Sequence, residues 1–439
     1  MKRSKVLATS ISGATLALVL SACGGGSADS PESTGSSGKT DTGDVTSVSV
    51  MTWESAETNQ LIDQKIAEMW DNPSIVIERI DAPSGDYGDK LGSLAQARQL
   101  PDLFWCGNDT AQQYSQLGIL TDWSNHMGGD FTAEDFGGLD SWTSENGIGG
   151  LPALQNVFGV WYNGDLFDEA GIPLPEAGWT WDEMYSAAEG LIGAGGANFP
   201  LTSDMFVTND GPFAMGMYSV SAGGSAFTDD VHAPSKVQMD AQYKEGVEKL
   251  RNAIAAGLVA PPDYDVANTP SLFAAGQQPM MIGGQWQAQS FSQDAGDINW
   301  GWAPLPHQGE QTTLYDAIGM CTPASTPNQD QTFEVLKFMN TDVLPAVMAE
   351  TPVAPTAYIP GRQAYFESLR EMGADTVLET LEYSLASPNG VNLRFTTPWA
   401  SQVNDLTVRD YLPVLKSEKE MSELDVYVEA VQGLINEHK

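Results

Sequence analysis

Residues 149–171, which read GGLPALQNVFGVWYNGDLFDEAG, constrain the fold of this chain more than any other stretch. The glycines at its start and Pro152 interrupt regular structure, and the bulky run from Val157 to Tyr162 predicts a strand. The Asn-Gly-Asp sequence at 163–165 then turns the chain into a helix. This order is typical of a chain that crosses between two structured bodies. Because 439 residues exceed what one hydrophobic core usually holds, we expect two lobes.

The segments before this stretch predict an α/β fold. Alternating apolar residues at 45–53 and 75–80 indicate two strands, and residues 57–71 between them have helical spacing that Pro73 ends. A strand, a helix and another strand form a parallel crossover unit. Further along, Thr180 and Glu183 have the spacing of a capping box, and a second helix is predicted to start near Asp240.

The N-terminus carries export signals. Three cations in the first five residues precede an apolar run from Ile11 to Leu20, so residues 1–22 are predicted to be a signal peptide. Leu-Ser-Ala-Cys at 20–23 resembles a bacterial lipobox, in which Cys23 would carry lipid; the alternative is an ordinary secreted protein with a chance cysteine. Residues 23–44, rich in Gly, Ser, Thr and Asp, are predicted to form a flexible tether.

Composition and motifs argue against several functions. With 20 Lys+Arg against 58 Asp+Glu, the formal net charge of -38 disfavours binding to nucleic acid or to an anionic membrane surface. The four histidines are scattered, and the sequence has no HExxH, CxxC, Walker A or GxSxG motif. We therefore expect no metal, no cofactor and no enzyme activity. A secreted glycosidase stays open as an alternative, because paired carboxylates cannot be excluded in so acidic a chain.

Several segments resemble, in order, the family 1 extracellular solute-binding proteins, the sugar receptors of ABC importers. The resemblance covers roughly residues 48–339. The stretch at 149–171 is similar to the family's first hinge, and Pro-Asp-Leu-Phe-Trp at 101–105 is similar to one of its strands. The other matching segments are 180–183, 272–286, 298–306 and 315–323.

This resemblance implies a two-lobed, periplasmic-binding-protein-like fold, with each lobe a sheet flanked by helices and a ligand cleft between them. We expect lobe 1 to comprise residues 45–157 and 317–357, and lobe 2 to comprise 158–316 and 358–439. The implied protein is a monomeric lipoprotein on the extracytoplasmic face of the cell membrane. It would deliver a carbohydrate, an oligosaccharide by preference, to ABC transporter permease subunits.

The site residues are chosen for what an uncharged sugar requires, namely aromatic plates for its C–H faces and planar polar groups for its hydroxyls. Each polar candidate has a structural alternative as a surface group or turn cap, and Arg394 has one as a salt bridge. Trp105 and Trp181, within apolar patterns, are assigned to the core. The proposed plates are Trp53, Trp286 and Trp399, and the polar candidates are Glu54, Asn108, Asp109, Gln155, Asn156, Asp316 and Arg394.

Two further points stay open. The resemblance places Cys106 and Cys321 after strands of one lobe, where they would form a disulfide; two buried free thiols are the alternative. The acidic charge would also suit a polyamine, and a polyol or a peptide is a further alternative ligand, whereas the aromatic and amide residues favour sugar.

Overall fold

The structure, a computed structural model, describes residues 45–80, 82, 87–393 and 396–439. The predicted signal peptide 1–22, the lipid-bearing Cys23, the tether 23–44 and the candidate ligand residue Arg394 lie outside the described residues.

The first elements form the predicted parallel unit. Strand β1 (Thr46–Met51) is followed by helix α1 (Ala56–Met69) and strand β2 (Ile75–Ile80), and β1 pairs with β2 in parallel. Helix α2 (Tyr87–Ala97) then leads to β3 (Leu103–Gly107), which pairs with the other edge of β1, also in parallel. The α/β prediction is therefore confirmed for this part of the chain.

The central strand is longer than the sequence predicts. After α3 (Asn108–Gln116) and a small hairpin, β4 (Thr143–Ser144) with β5 (Gly147–Ile148), strand β6 runs from Gly150 to Asn163. Pro152, taken from the sequence as a break, lies within it. Its missing N–H is tolerated because the pairing of β6 with its neighbour shifts register beside Pro152.

Strand β6 joins the two parts of a nine-stranded sheet. Its first half pairs antiparallel with β10 (Thr312–Cys321), and its second half lies between β8 (Met280–Gly284) and β9 (Trp300–Pro304). The sheet order is β2-β1-β3-β10-β6-β8-β7, with β7 spanning Leu201–Ser203 and β11 (Asn389–Asn392) beside β10. The strands on the two sides of β6 thus belong to one continuous sheet.

Helices flank this sheet. Helix α5 (Trp181–Gly190) begins with the predicted capping box of Thr180 and Glu183, and α7 (Ala241–Ala255) is capped by Asp240 as predicted. The remaining helices are α4 (Gly164–Ala170), α6 (Gly211–Ser221), α8 (Thr269–Ala274), α9 (Gln287–Asp294), α10 (Gln329–Phe338), α11 (Leu344–Glu350), α12 (Arg362–Met372), α13 (Asp375–Leu385), α14 (Ala400–Leu406), α15 (Leu412–Leu415) and α16 (Glu423–Glu437). Within the described ranges, no helix is long and apolar enough to cross a membrane.

Buried apolar side chains form two clusters. The first contains strands β1 to β3 with α3 and α10 to α13, and the second contains α5 to α7 with α14 to α16. Trp105 lies in the first cluster and Trp181 in the second, each 1% exposed, which confirms their assignment to the core. The lobe boundaries stay a prediction; α12 and α13 pack in the first cluster.

A disulfide links two neighbouring strands in the middle of the sheet. Cys106 on β3 and Cys321 at the end of β10 are bonded, with their Cα atoms 6.0 Å apart and a sequence separation of 215. The two strands are antiparallel neighbours, which places the two cysteines within bonding reach.

Candidate functional site

Three aromatic side chains lie together at the carboxyl ends of β1 and β3. The ring of Trp53 lies 5.2 Å from Tyr87 and 6.1 Å from Trp105, measured between centroids. The indole N–H of Trp105 donates to Glu54 Oε1 at 3.1 Å. Desolvation of the carboxyl by burial raises the pKa of Glu54. Trp53 and Glu54, both half-buried, therefore lie at one end of the sheet, where such folds place ligands.

Asn108 and Asp109 begin α3 but have different surroundings. Asn108 is fully buried; its Oδ1 accepts from the backbone N–H of Asp109 at 3.1 Å, and its Nδ2 has no hydrogen-bond partner among the described residues. Asp109 is half-buried and lines a cavity.

This cavity, which we call the aspartate pocket, lies where α3 of the first cluster meets loops of the second. Its volume is about 610 Å³. Polar side chains from three segments line it, and they are Asp109, Asp204, Thr208, Asn209, Asp210 and Asn404. The side chain of Asp204 opens onto the pocket, but surrounding protein desolvates it and raises its pKa, and the negative charge of Asp210 raises it further.

Asn156 and Asp316 face each other where the chain crosses between the clusters. They are paired residues of β6 and β10, and both are buried. The Asn156 side chain is not free, because its Oδ1 accepts from Gln285 Nε2 at 3.1 Å. Gln285 also accepts from the backbone N–H of Val157 at 2.9 Å and donates to the carbonyl of Val353 at 3.4 Å. One buried amide thus links β6 to the segment at 353–357.

Gln155 is also held within these crossings. Its Oε1 accepts from the guanidinium of Arg362, and its backbone N–H donates to the carbonyl of Pro355 at 3.0 Å. Burial lowers the pKa of Arg362. Strands β6 and β10 therefore cross between the two clusters and pair through their backbones, and the side chains of Gln155 and Gln285 join β6 to the segment at 353–362 of the first cluster.

Trp286 follows β8 and is half-buried. Its ring meets Phe158 edge to face, with centroids 5.7 Å apart and planes at 90°. The indole also lies across Gly284, where an added Cβ would be 1.9 Å from Trp286 Cζ3. Gly284 is required at this position because any side chain there would displace the indole.

Trp399 belongs to a second cavity, which we call the Trp399 pocket. Its volume is about 590 Å³. The ring of Trp399 is 8% exposed and stacks on His438 with centroids 5.1 Å apart and planes at 6°. The other polar residues at this pocket include Gln112 and Gln116 of α3, His232 and Thr397.

The sequence-predicted residues therefore fall into separate groups. Trp53 and Glu54 lie at the sheet end, and Asp109 and Trp399 line two cavities. Gln155 and Asn156 are bonded to Arg362 and Gln285, and Asp316 lies opposite Asn156 in the sheet. Sequence reasoning missed Asp204, Thr208 and Asp210 of the aspartate pocket; the polar, turn-rich run at 203–212 was the signal available for them.

Two further observations concern a third cavity and metal binding. A cavity of similar size, about 590 Å³, lies beside residues 172–179, but none of the sequence-predicted site residues lines it. Among the residues that the structure describes, no group of three or more His, Cys, Asp or Glu side chains is arranged to hold a metal ion.

Comparison with known proteins identifies relatives of this chain. A family model described as bacterial extracellular solute-binding protein matches residues 63–374. A binding protein of Brucella abortus (strain 2308) is 24% identical over 300 residues, which cover 65% of this chain and 69% of that protein.

Solved structures match over most of the chain. An ABC substrate-binding protein from Listeria monocytogenes in complex with cycloalternan has a TM-score of 0.73 at 20% identity, covering 90% of this chain and 99% of that one. The cyclic alpha-maltosyl-1,6-maltose binding protein from Arthrobacter globiformis has a TM-score of 0.71 at 20% identity, covering 89% and 98%. These likenesses establish the two-lobed periplasmic-binding-protein fold.

Proposed function

The chain belongs to the bacterial extracellular solute-binding protein family, and from that premise we propose that it captures a sugar and delivers it to an ABC transporter permease. The observation that carries the proposal is the aspartate pocket. Its walls come from α3 on one side and from residues 204–210 and Asn404 on the other. A solute that touches both walls would hold them together.

The chemistry of this pocket suits hydroxyl groups. Carboxylates accept hydrogen bonds in fixed directions, and the threonine and asparagine side chains both donate and accept. Desolvation by the surrounding protein raises the pKa of Asp204, and a carboxyl group donates a hydrogen bond when it is protonated. The half-buried Trp286 and Trp53 are proposed as plates for the C–H faces of the sugar, and Glu54 and Asp316 as polar partners. The sugar in the Listeria complex and the sugar in the name of the Arthrobacter protein support this ligand class.

A thermal-shift screen with mono- and oligosaccharides tests the proposal. A sugar at about 100 times its dissociation constant adds about 2.7 kcal/mol to the free energy of unfolding. We expect Asp109→Asn to remove most of the shift. The matched control is Asp168→Asn, since Asp168 is exposed on α4 and lines none of the cavities described. Equal loss in both variants, or no shift with any sugar, would contradict the proposal.

We propose that the protein is a monomeric lipoprotein anchored through Cys23, with no catalytic role, and that its lobes close about the three crossings. The sequence Leu-Ser-Ala-Cys motivates the anchor. Cys23→Ala should release the protein into the culture supernatant. Unchanged partition with membranes would show that the anchor lies elsewhere.

An amine-bearing solute is the second candidate, favoured by the three aspartates at the pocket and by the net charge of -38. The affinity for a cation would fall steeply with added salt, whereas the affinity for a neutral sugar would be nearly constant. Titration at low and high ionic strength therefore separates the two ligands.

A further inference from the structure

The segment 52–55 joins β1 to α1 and carries two of the proposed ligand residues, Trp53 and Glu54. Both side chains are only half-buried, so packing alone does not fix them. Binding residues on a connecting segment depend on a rigid scaffold to position them. The placement of Trp53 and Glu54 therefore depends on the groups that hold the backbone of this segment.

Asn59, in the first turns of α1, bonds to this segment twice. Its Nδ2 donates to the carbonyl of Glu54 at 2.8 Å, and its Oδ1 accepts from the hydroxyl of Thr52 at 2.5 Å. Thr52 is itself buried, with 1% of its surface exposed. The two bonded residues lie on either side of Trp53, so a single amide holds the backbone that presents the indole.

Arg79, near the end of β2, holds this amide in one orientation. Its Nη2 donates to Asn59 Oδ1 at 2.9 Å and to Thr52 Oγ1 at 2.8 Å. A guanidinium only donates, so the oxygen of Asn59 must face Arg79 and the nitrogen must face the carbonyl of Glu54. The Thr52 hydroxyl accepts from Arg79 and gives its own proton to Asn59. The donors therefore run in one direction, from the guanidinium to the Glu54 carbonyl.

Arg79 reaches this segment from outside the proposed ligand site. Its side chain is 13% exposed, and its Nε donates to Asp63 Oδ1 at 2.7 Å. The cavity that it borders, of about 510 Å³, is formed by α1, β2 and the turn between them. Desolvation raises the pKa of Glu54, and the Trp105 indole and the positive charge of Arg79 act in the opposite direction. The cation thus also stabilises the carboxylate of Glu54.

We propose that Arg79 is a positioning residue of the ligand site, which acts through Thr52 and Asn59 to hold Trp53 and Glu54 where the sugar binds. This inference rests on the proposed function, because it takes Trp53 and Glu54 as ligand-binding residues. A segment that is ordered before the sugar arrives loses less conformational entropy on binding. Arg79 therefore contributes to affinity without contacting the sugar.

Calorimetric titration of the full chain tests this role, with maltotriose, cellotriose and lactose as probes. Arg79→Met keeps an apolar stem and removes the donors. It should weaken the binding of the tightest of the three probes about three- to tenfold, the net effect of one or two hydrogen bonds.

Asn59→Asp is the second variant, and it separates positioning from folding. The new carboxylate still accepts from Arg79 and Thr52, so the midpoint of a denaturant melt should not fall. However, an oxygen replaces the N–H that donates to the Glu54 carbonyl, so affinity should fall by a similar factor. If Arg79→Met does not fold, this variant decides the question.

The matched control is Asp63→Asn. It removes the half-exposed carboxylate of the Arg79 ion pair but keeps an oxygen for the Nε–H, so affinity should stay as in the wild type. A further test places Arg79→Met in a chain that already carries Trp53→Ala. Because Arg79 acts partly through Trp53, its replacement should weaken binding less in that chain than in the wild type.

Wild-type affinity in Asn59→Asp, or equal weakening by Arg79→Met with and without Trp53, would overturn the positioning role. Either result leaves the proposed function intact, because the wild type still binds the probe. No binding of any of the three probes by the wild type would count against the positioning role and the proposed function together.

Discussion

The crossing segments and the cleft walls contain the same kinds of polar residue in opposite states. At the crossings, Gln155 is bonded to Arg362 and Asn156 to Gln285. At the Trp399 pocket, Gln112 and Thr397 are more deeply buried, yet each keeps one polar atom without a partner within the described structure. Residue type predicts polarity at both places, but only the assembled fold decides which of these buried groups has a hydrogen-bond partner.

The largest effect is expected at the crossings, from Gln285→Ala. The change leaves the N–H of Val157, Asn156 Oδ1 and the carbonyl of Val353 without their partner in a buried place. We expect the free energy of unfolding to fall by about 2 to 4 kcal/mol in a denaturant melt. Because Gln285 holds β6 where that strand crosses between the clusters, the affinity for the sugar found in the screen should change as well.

Gln278→Ala is the matched control for this prediction. Gln278 is also buried, and its Nε2 donates to the carbonyls of Phe199, Pro200 and Met280, away from the crossings. The Gln278→Ala variant should lose a comparable amount of folding free energy and keep wild-type affinity for the sugar. If Gln285→Ala also keeps wild-type affinity, the crossing network holds the fold without influencing the ligand.

A smaller effect, on binding alone, is expected at Trp286. If its indole covers a sugar face, Trp286→Ala should weaken binding by about 1 to 3 kcal/mol in a calorimetric titration and leave stability nearly unchanged. Gly284→Ala should also weaken binding, because its Cβ would displace the indole. Gly283→Ala should not, since its Cβ would lie 3.4 Å from Met281 Cε, an ordinary contact. A large drop in melting midpoint with unchanged affinity would instead assign Trp286 to the core.

The smallest effect is expected from Asp204→Asn, measured as stability against pH without ligand. Desolvation raises the pKa of Asp204 above its ordinary value of 3.8, so the ionised carboxylate destabilises the folded state. The asparagine variant should therefore be the more stable at pH 7. Below the ordinary value the acid is protonated in both states, and the difference should disappear. If the asparagine variant is less stable than the wild type at pH 7, the raised pKa of Asp204 is contradicted.

Local patterns predicted much of the fold. The parallel unit of β1 and β2, the capping box at Thr180 and the helix after Asp240 were all predicted, because each depends on residues close in sequence. The length of β6 was not, because Pro152 is accommodated by a register shift against β10, more than 150 residues away. Long-range pairing of this kind has no local signature.

The site was less predictable for the same reason. Trp53, Glu54 and Asp109 follow strands, and the rule that ligands lie beyond carboxyl ends of strands selected them. That rule also selected Asn108, which the structure buries completely. The partners of Asn156 and the neighbours of Asp204 come from distant segments, so their states depend on the assembled fold.

The position of β10 has a consequence for the order in which the protein is made. This strand lies between β3 and β6 in the sheet, yet it is residues 312–321 of the chain. Until more than 300 residues have emerged, β3 and β6 lack their shared neighbour, and Cys106 lacks the thiol of Cys321. The N-terminal part therefore cannot complete its sheet ahead of the rest during synthesis. For a chain exported as the predicted signal peptide implies, this order of strands would favour an unfolded state until most of the chain has been made.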